Sequence, residues 1–228
     1  MINKEIDSIL KNISIFLKNI SSQRELNEEL IQQGWFPNTI ILRHQKLGNE
    51  SIDDFMIRCL TGSFYERIKS EYIYPLYPHR QEIYKEAFRL YEEQRYLAAI
   101  PLFLSQIDGI IAESGLSGMF DGKSELIKNA KPEELKFFEY LNHYIQTSNK
   151  DSLIMYNQNI IEKRKNLTIS KKTKYLLNPN EIGQLNRHGI LHGNKDFLNY
   201  GSQINTLKVI SLTLFIINAL EIMKSEGN

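Results

Sequence analysis

YLAAIPLFLSQIDGIIAES, residues 96–114, is apolar nearly all the way round a helical wheel. A helix with no wide polar face is unsuited to a surface, so this one predicts the centre of a helical core with other helices around it. Pro101 falls early enough to be tolerated near the first turns, or it marks a kink. Asp108 is the exception to the apolar pattern. A carboxylate on such a helix is costly to bury unpaired, so it demands a cation, and Arg187 and His188 are the obvious partners. Gly109 beside it suggests a close approach by a neighbouring helix.

Working outward, helical periodicity continues and alternation of period two is hard to find. RQEIYKEAFRLYEEQRY (80–96) sets apolar residues at 83, 84, 87, 88 and 91. Residues 3–20, 22–33, 51–73 and 151–165 also predict helices. Gly34 is placed to close the second of these as its C′ residue, with Pro37 just beyond. WFPNTIILRHQ (35–45) is the least helical stretch and suits an extended chain. AKPEELKFFEYLNHYIQ carries Pro132 near a helix start, with acids in the first turn. GSQINTLKVISLTLFIINALEIMK closes the chain as a long apolar helix. The fold class is therefore all-α, an antiparallel bundle. The break at YIYPLYPH, with Pro75 and Pro78, divides an N-terminal helical region (1–75) from the main bundle (76–228).

Composition narrows the function classes. The 228 residues carry 28 Lys and Arg against 27 Asp and Glu, a net charge of +1. No global field recruits nucleic acid or membrane, so such a partner must be met by a local patch. Cys59 stands alone, which excludes an internal disulfide and points to a reducing compartment. Lys11 and Lys18 interrupt the apolar pattern of a secretory leader. The longest uncharged apolar run, 209–220, would span about 18 Å as a helix, short of the ~30 Å of a bilayer core. These readings predict a cytoplasmic protein with no membrane partner.

The chemistry gathers late in the chain. In LLNPNEIGQLNRHGILHG (176–193), Asn178 can cap a helix, Pro179 suits its first position, and Glu181 sits where a capping-box carboxylate reaches back. Gly193 can end that helix. His188 and His192, four apart, share one face, and Arg187 projects beside them. A guanidinium offers paired donors to phosphate oxygens and keeps its charge. An imidazole takes or gives a proton near neutrality. Together they suit a phosphodiester, with the 2′-hydroxyl of RNA as internal nucleophile and no cofactor. A zinc reading uses His188, His192 and Asp196, but Gly193 is expected to end the helix before Asp196. The alternative to chemistry is plain: such residues also cap helices and pair with nearby carboxylates.

NRHGILHG, followed by a long apolar helix and preceded by QRYLAAIPLFLSQIDGI (94–110), resembles the HEPN superfamily of helical-bundle proteins. The resembling pair is Arg187 and His192, the R-x-x-x-x-H of its ribonuclease members, with Asn186 and His188 as polar neighbours and Asp108 as the polar residue of the packed helix. The resemblance covers about 80–223 and leaves 1–75 unexplained. It implies a metal-independent endoribonuclease of toxin or anti-phage type, acting as a homodimer with a composite cleft and subject to a cognate antitoxin or regulator. It equally admits a catalytically silent interaction module, since the superfamily contains both.

Two further features bear on RNA. IEKRKNLTISKKTK (161–174) holds six basic residues against one acid, so Lys171, Lys172 and Lys174 are candidates to guide a phosphate backbone. The bland reading is a solvated loop. Tyrosines at 72, 74, 77, 84, 91 and 96 can stack bases, but their near-helical spacing favours packing. Trp35, beside Phe36 and Pro37, is expected to anchor the N-terminal region or to meet a partner.

Overall fold

The computed structural model describes residues 22–38, 41, 44–119, 136–147, 160, 167, 169 and 185–226. Its regular elements are all helical, and no strand occurs among the described residues. In chain order they are α1 (22–32), α2 (Ile52–Thr61), α3 (Tyr65–Arg67), α4 (Gln81–Glu92), α5 (Tyr96–Glu113), α6 (Phe137–Thr147), α7 (Arg187–Leu191) and α8 (Gln203–Glu226). The expected helices over 3–20 and 151–165, and the residues around Pro132, lie outside the described residues, apart from Ile160.

α4 and α5 form a helical hairpin. Its turn is closed by Gln94, whose φ of 59° lies in the left-handed region, and by the Arg95 N–H donating to the Leu90 carbonyl at 2.8 Å. α5 buries Ala99, Ile100, Phe103, Leu104, Ile107, Ile110 and Ile111 against α4 and α8. Leu97, however, is 58% exposed, so the first turn of α5 leaves the core. The most enclosed helix is instead α8, 78% of whose apolar stretch is buried against 44% for α5. Both helices are long and apolar enough to cross a membrane. The 12-residue run had understated α8, which has 24 residues and so spans about 36 Å. Its buried hydroxyls find carbonyls about one turn back: Thr213 donates to that of Val209 at 2.9 Å, Ser211 to that of Lys208 at 2.8 Å and Thr206 to that of Ser202, just before the helix, at 2.8 Å.

The N-terminal elements share this core. Gly34, with φ of 79°, ends α1 in a left-handed turn whose Trp35 N–H reaches back to the Leu30 carbonyl at 2.9 Å. Trp35 is buried, donates from its indole to Asp53 at 2.8 Å, and has the Lys208 ammonium 5.4 Å from its ring. The Phe36 N–H donates to the Ser211 hydroxyl, and its ring meets Phe215 on α8. Residues 35–38 belong to no helix or strand and lie against α8 through Trp35 and Phe36.

The helix expected over 51–73 is interrupted at Gly62 and widens into a π-helical stretch, Ile68–Ile73. Beyond it the proline pair does break the helix, giving a 3-10 turn at Pro78–Arg80. The core runs across this break, with Ile68, Ile73, Tyr77 and Tyr84 all buried. α6 starts at Phe137, where the Lys136 N–H donates to the Glu139 carboxylate at 2.9 Å.

Candidate functional site

Asn186 sets the start of α7. Its backbone is extended, with φ of −119° and ψ of 109°, and its buried side-chain oxygen accepts from the Gly189 N–H at 2.7 Å. A helix running unbroken from Asn178 to Gly193 is therefore corrected to one of five residues. A short amide side chain here takes a backbone donor that an incoming helix would have used. Asn178, Pro179 and Glu181 lie outside the described residues. The far end is as expected: Gly193 has φ of 62°, and the Asn194 N–H reaches back to the Gly189 carbonyl at 2.9 Å. Asn194 then caps a 3-10 turn, Lys195–Phe197, by accepting from the Asp196 N–H at 3.0 Å.

This segment is held to α5 at two polar points. Arg187 is ion-paired to Asp108, and the two side chains are 26% and 33% exposed. The cation that Asp108 demanded is thus Arg187. The Nε of Arg187 is buried and has no hydrogen-bond acceptor among the described residues. Seven positions earlier on α5, Pro101 lacks the N–H that would have bonded the Leu97 carbonyl. The Tyr200 hydroxyl donates to that carbonyl instead, at 2.9 Å. Between these points Phe197 is buried, its ring lying where a side chain on Gly189 would stand, 2.4 Å from the ideal Cβ position.

His188 and His192 come together on the open side of α7. Both are exposed, and their ring centroids are 4.3 Å apart with the planes inclined at 58°. Helical geometry places Arg187 about 140° around the axis from His192. The guanidinium is paired with Asp108 of α5, while both imidazoles are exposed. Asp196 falls in the separate 3-10 turn. Among the described residues no three His, Cys, Asp or Glu side chains form a group able to hold a metal ion. Lys171, Lys172 and Lys174 lie outside the described residues.

Sequence reasoning missed a second polar cluster on the other face of α5. Gly109 admits the Arg80 guanidinium, which lies within 2.6 Å of where a Cβ would be. The close approach at Gly109 is thus made by a side chain and not by a helix backbone. Arg80 donates to the side-chain Oε1 of Gln106 at 2.7 Å and to Glu113 at 2.5 Å, while His79 meets the same carboxylate at 3.0 Å. The Arg80 guanidinium holds the Glu113 carboxyl below the usual carboxylate range, with a smaller push from His79. The glycine three residues after a buried glutamine was the available signal, but nothing local named Arg80. The tyrosines serve mainly packing: Tyr77, Tyr84 and Tyr91 are buried, and Tyr72, Tyr74 and Tyr96 lie partly buried against the core.

No protein-family model, curated protein or solved structure matches the chain.

Proposed function

We propose that the chain is a HEPN-like, metal-independent endoribonuclease, cytoplasmic, acting as a homodimer in a toxin or anti-phage setting under an antitoxin or regulator. One observation supports this reading best. A guanidinium whose buried Nε has no acceptor among the described residues opens a five-residue helix on which one exposed imidazole sits, with a second at its C-cap. In the proposed step the substrate 2′-oxygen attacks the adjacent phosphorus as an imidazole takes its proton. The bond from phosphorus to the 5′-oxygen breaks, and a second imidazole returns a proton to that leaving oxygen. The products are a 2′,3′-cyclic phosphate and a free 5′-hydroxyl. Arg187 stabilises charge on the phosphate. One guanidinium and two imidazoles are few groups for general acid, general base and phosphate stabilisation at once, so two copies facing each other serve the reaction better than one.

A second reading is favoured by the Asp108 pair itself, which neutralises Arg187 and fits a silent interaction module. One experiment separates them. Purified protein is incubated with mixed RNA in EDTA beside an Arg187→Ala/His192→Ala double variant. Cyclic-phosphate ends from the first protein only, with DNA spared, support the enzyme. Equal cutting by both, or none by either, favours the silent module, and activity that vanishes on chelation and returns with zinc favours a metal-dependent hydrolase.

A further inference from the structure

We infer that His188 and His192 form a two-histidine chelate for a divalent transition-metal ion such as Cu²⁺, Ni²⁺ or Zn²⁺, and that occupancy of this chelate silences the site. The binding half of the inference stands on geometry alone, and the silencing half rests on the ribonuclease reading above.

Two imidazoles four residues apart lie one turn above each other on the same helical face. Here their ring centroids are 4.3 Å apart and both side chains are exposed. Two nitrogens each about 2.0–2.1 Å from one ion lie about 3 Å from each other, which rings this close can reach by side-chain rotation alone. The backbone beneath them is fixed by the Asn186 cap, the left-handed Gly193 and the Phe197 ring under Gly189. The backbone that carries the two rings is therefore set before the metal arrives.

The local charge allows it. Arg187, the adjacent cation, is neutralised by Asp108 on the inner side of α7. Imidazole nitrogen is a borderline ligand that suits copper, nickel and zinc, and it discriminates against magnesium and calcium, which take oxygen. With only two protein ligands the remaining positions belong to water. Affinity should then follow the general order for such ions, with Cu²⁺ the tightest. An imidazole whose nitrogen lone pair is committed to a metal cannot use it to take a proton, so metal loading opposes acid–base work at the site.

The test uses the full chain, stripped with EDTA and dialysed. CuCl2, NiCl2, ZnCl2 and MgCl2 are titrated separately by calorimetry into the wild type and the His188→Ala, His192→Ala and His79→Ala variants, with circular dichroism on each. The expected result is one Cu²⁺ per chain, weaker Ni²⁺ and Zn²⁺, no Mg²⁺, and roughly tenfold or greater weakening in the first two variants only. Because a variant can misfold, the wild type is also followed by NMR during Zn²⁺ addition. Of its five histidines, two should shift together. Copper binding equal in all four proteins, or zinc that moves other histidines and leaves these two unmoved, overturns the chelate. If the metal binds as expected and an active wild type keeps its RNA-cutting rate with zinc, silencing is overturned while the chelate stands. If the metal binds and no condition gives RNA cutting, the ribonuclease reading fails and silencing falls with it.

Discussion

Arg187 and Asp108 tie a five-residue helix to the middle of α5 across a sequence separation of 79 positions. Neither side chain is fully buried, so the pair is stronger than a surface ion pair and cheaper to break than a sealed one. Asp108→Asn keeps the shape but removes the counter-charge. It should lower stability by about 1–2 kcal/mol, read as a drop in the urea midpoint with an unchanged slope. In a double-mutant cycle with Arg187→Ala the two losses should not add. Full additivity would mean the pair does not form in solution.

Gly189 has a different duty, which is to be absent. An ideal Cβ there meets Phe197 Cδ2 at 2.4 Å and Cγ at 2.5 Å, and both residues are buried. Gly189→Ala should therefore cost about 1–3 kcal/mol by forcing the ring aside. Because His188 and His192 flank this seat, their NMR resonances should shift as well. In a Phe197→Leu background the same substitution should cost clearly less, and an equal cost in both backgrounds would remove the ring as the cause.

How far the sequence foretold this arrangement differed from residue to residue. Asp108 announced a cationic partner because a charge in an apolar helix carries its requirement with it, and Gly34 and Gly193 announced helix ends because a left-handed residue is a local need. Asn186 did not announce itself. Asn178 and Pro179 offered the stronger local start signal, and only the burial of Asn186 against the fold shows which asparagine caps α7. Arg80 was equally silent, since its place over Gly109 depends on how α4 meets α5. The Leu97–Tyr200 bond was half legible: Pro101 guarantees a freed carbonyl, but not the hydroxyl that finds it. The enclosure of α8 was underestimated because Lys208 and Glu221 bound the uncharged run, whereas in the helix the buried surface continues past both, to Leu207 and Met223.

Gln94 closes the α4–α5 turn with φ of 59°, the one non-glycine residue with positive φ among those described. Its side chain is exposed, so little contact is lost on removing it. A left-handed conformation costs an ordinary L-residue roughly 1–2 kcal/mol, part of which glycine returns through a freer unfolded chain. Gln94→Gly should be net stabilising by about 0.5–1 kcal/mol, raising the thermal midpoint by about 1–4 °C for a chain of this size. Gln94→Val should move it the other way, because a β-branched side chain tolerates this region least. A lowered midpoint for the glycine variant would show that the turn is held by something other than its backbone.

Glu50 and Arg58 make the clearest pH-dependent contribution. Arg58 donates from Nε and Nη2 to the two carboxylate oxygens, each at 2.8 Å, and also to the Gln45 carbonyl at 3.0 Å, so the pair pins the chain before α2 to that helix. The side-chain hydrogen bonds from Arg58 lower the Glu50 carboxyl from 4.5 to about 2, with burial opposing them and the Leu47 N–H assisting. The folded value lies below the unfolded one, so the stabilisation is fully present above pH 4.5. It is lost as pH falls from 4.5 through about 2, where the folded chain also takes up the proton. Glu50→Gln keeps the size and can still accept from the Leu47 N–H, but carries no charge to lose. The variant should unfold at lower urea than the wild type at neutral pH, and the gap between their midpoints should close steadily below pH 4.5. A gap that stays constant down to about pH 2 would show that the charge of Glu50 does not hold the pair together.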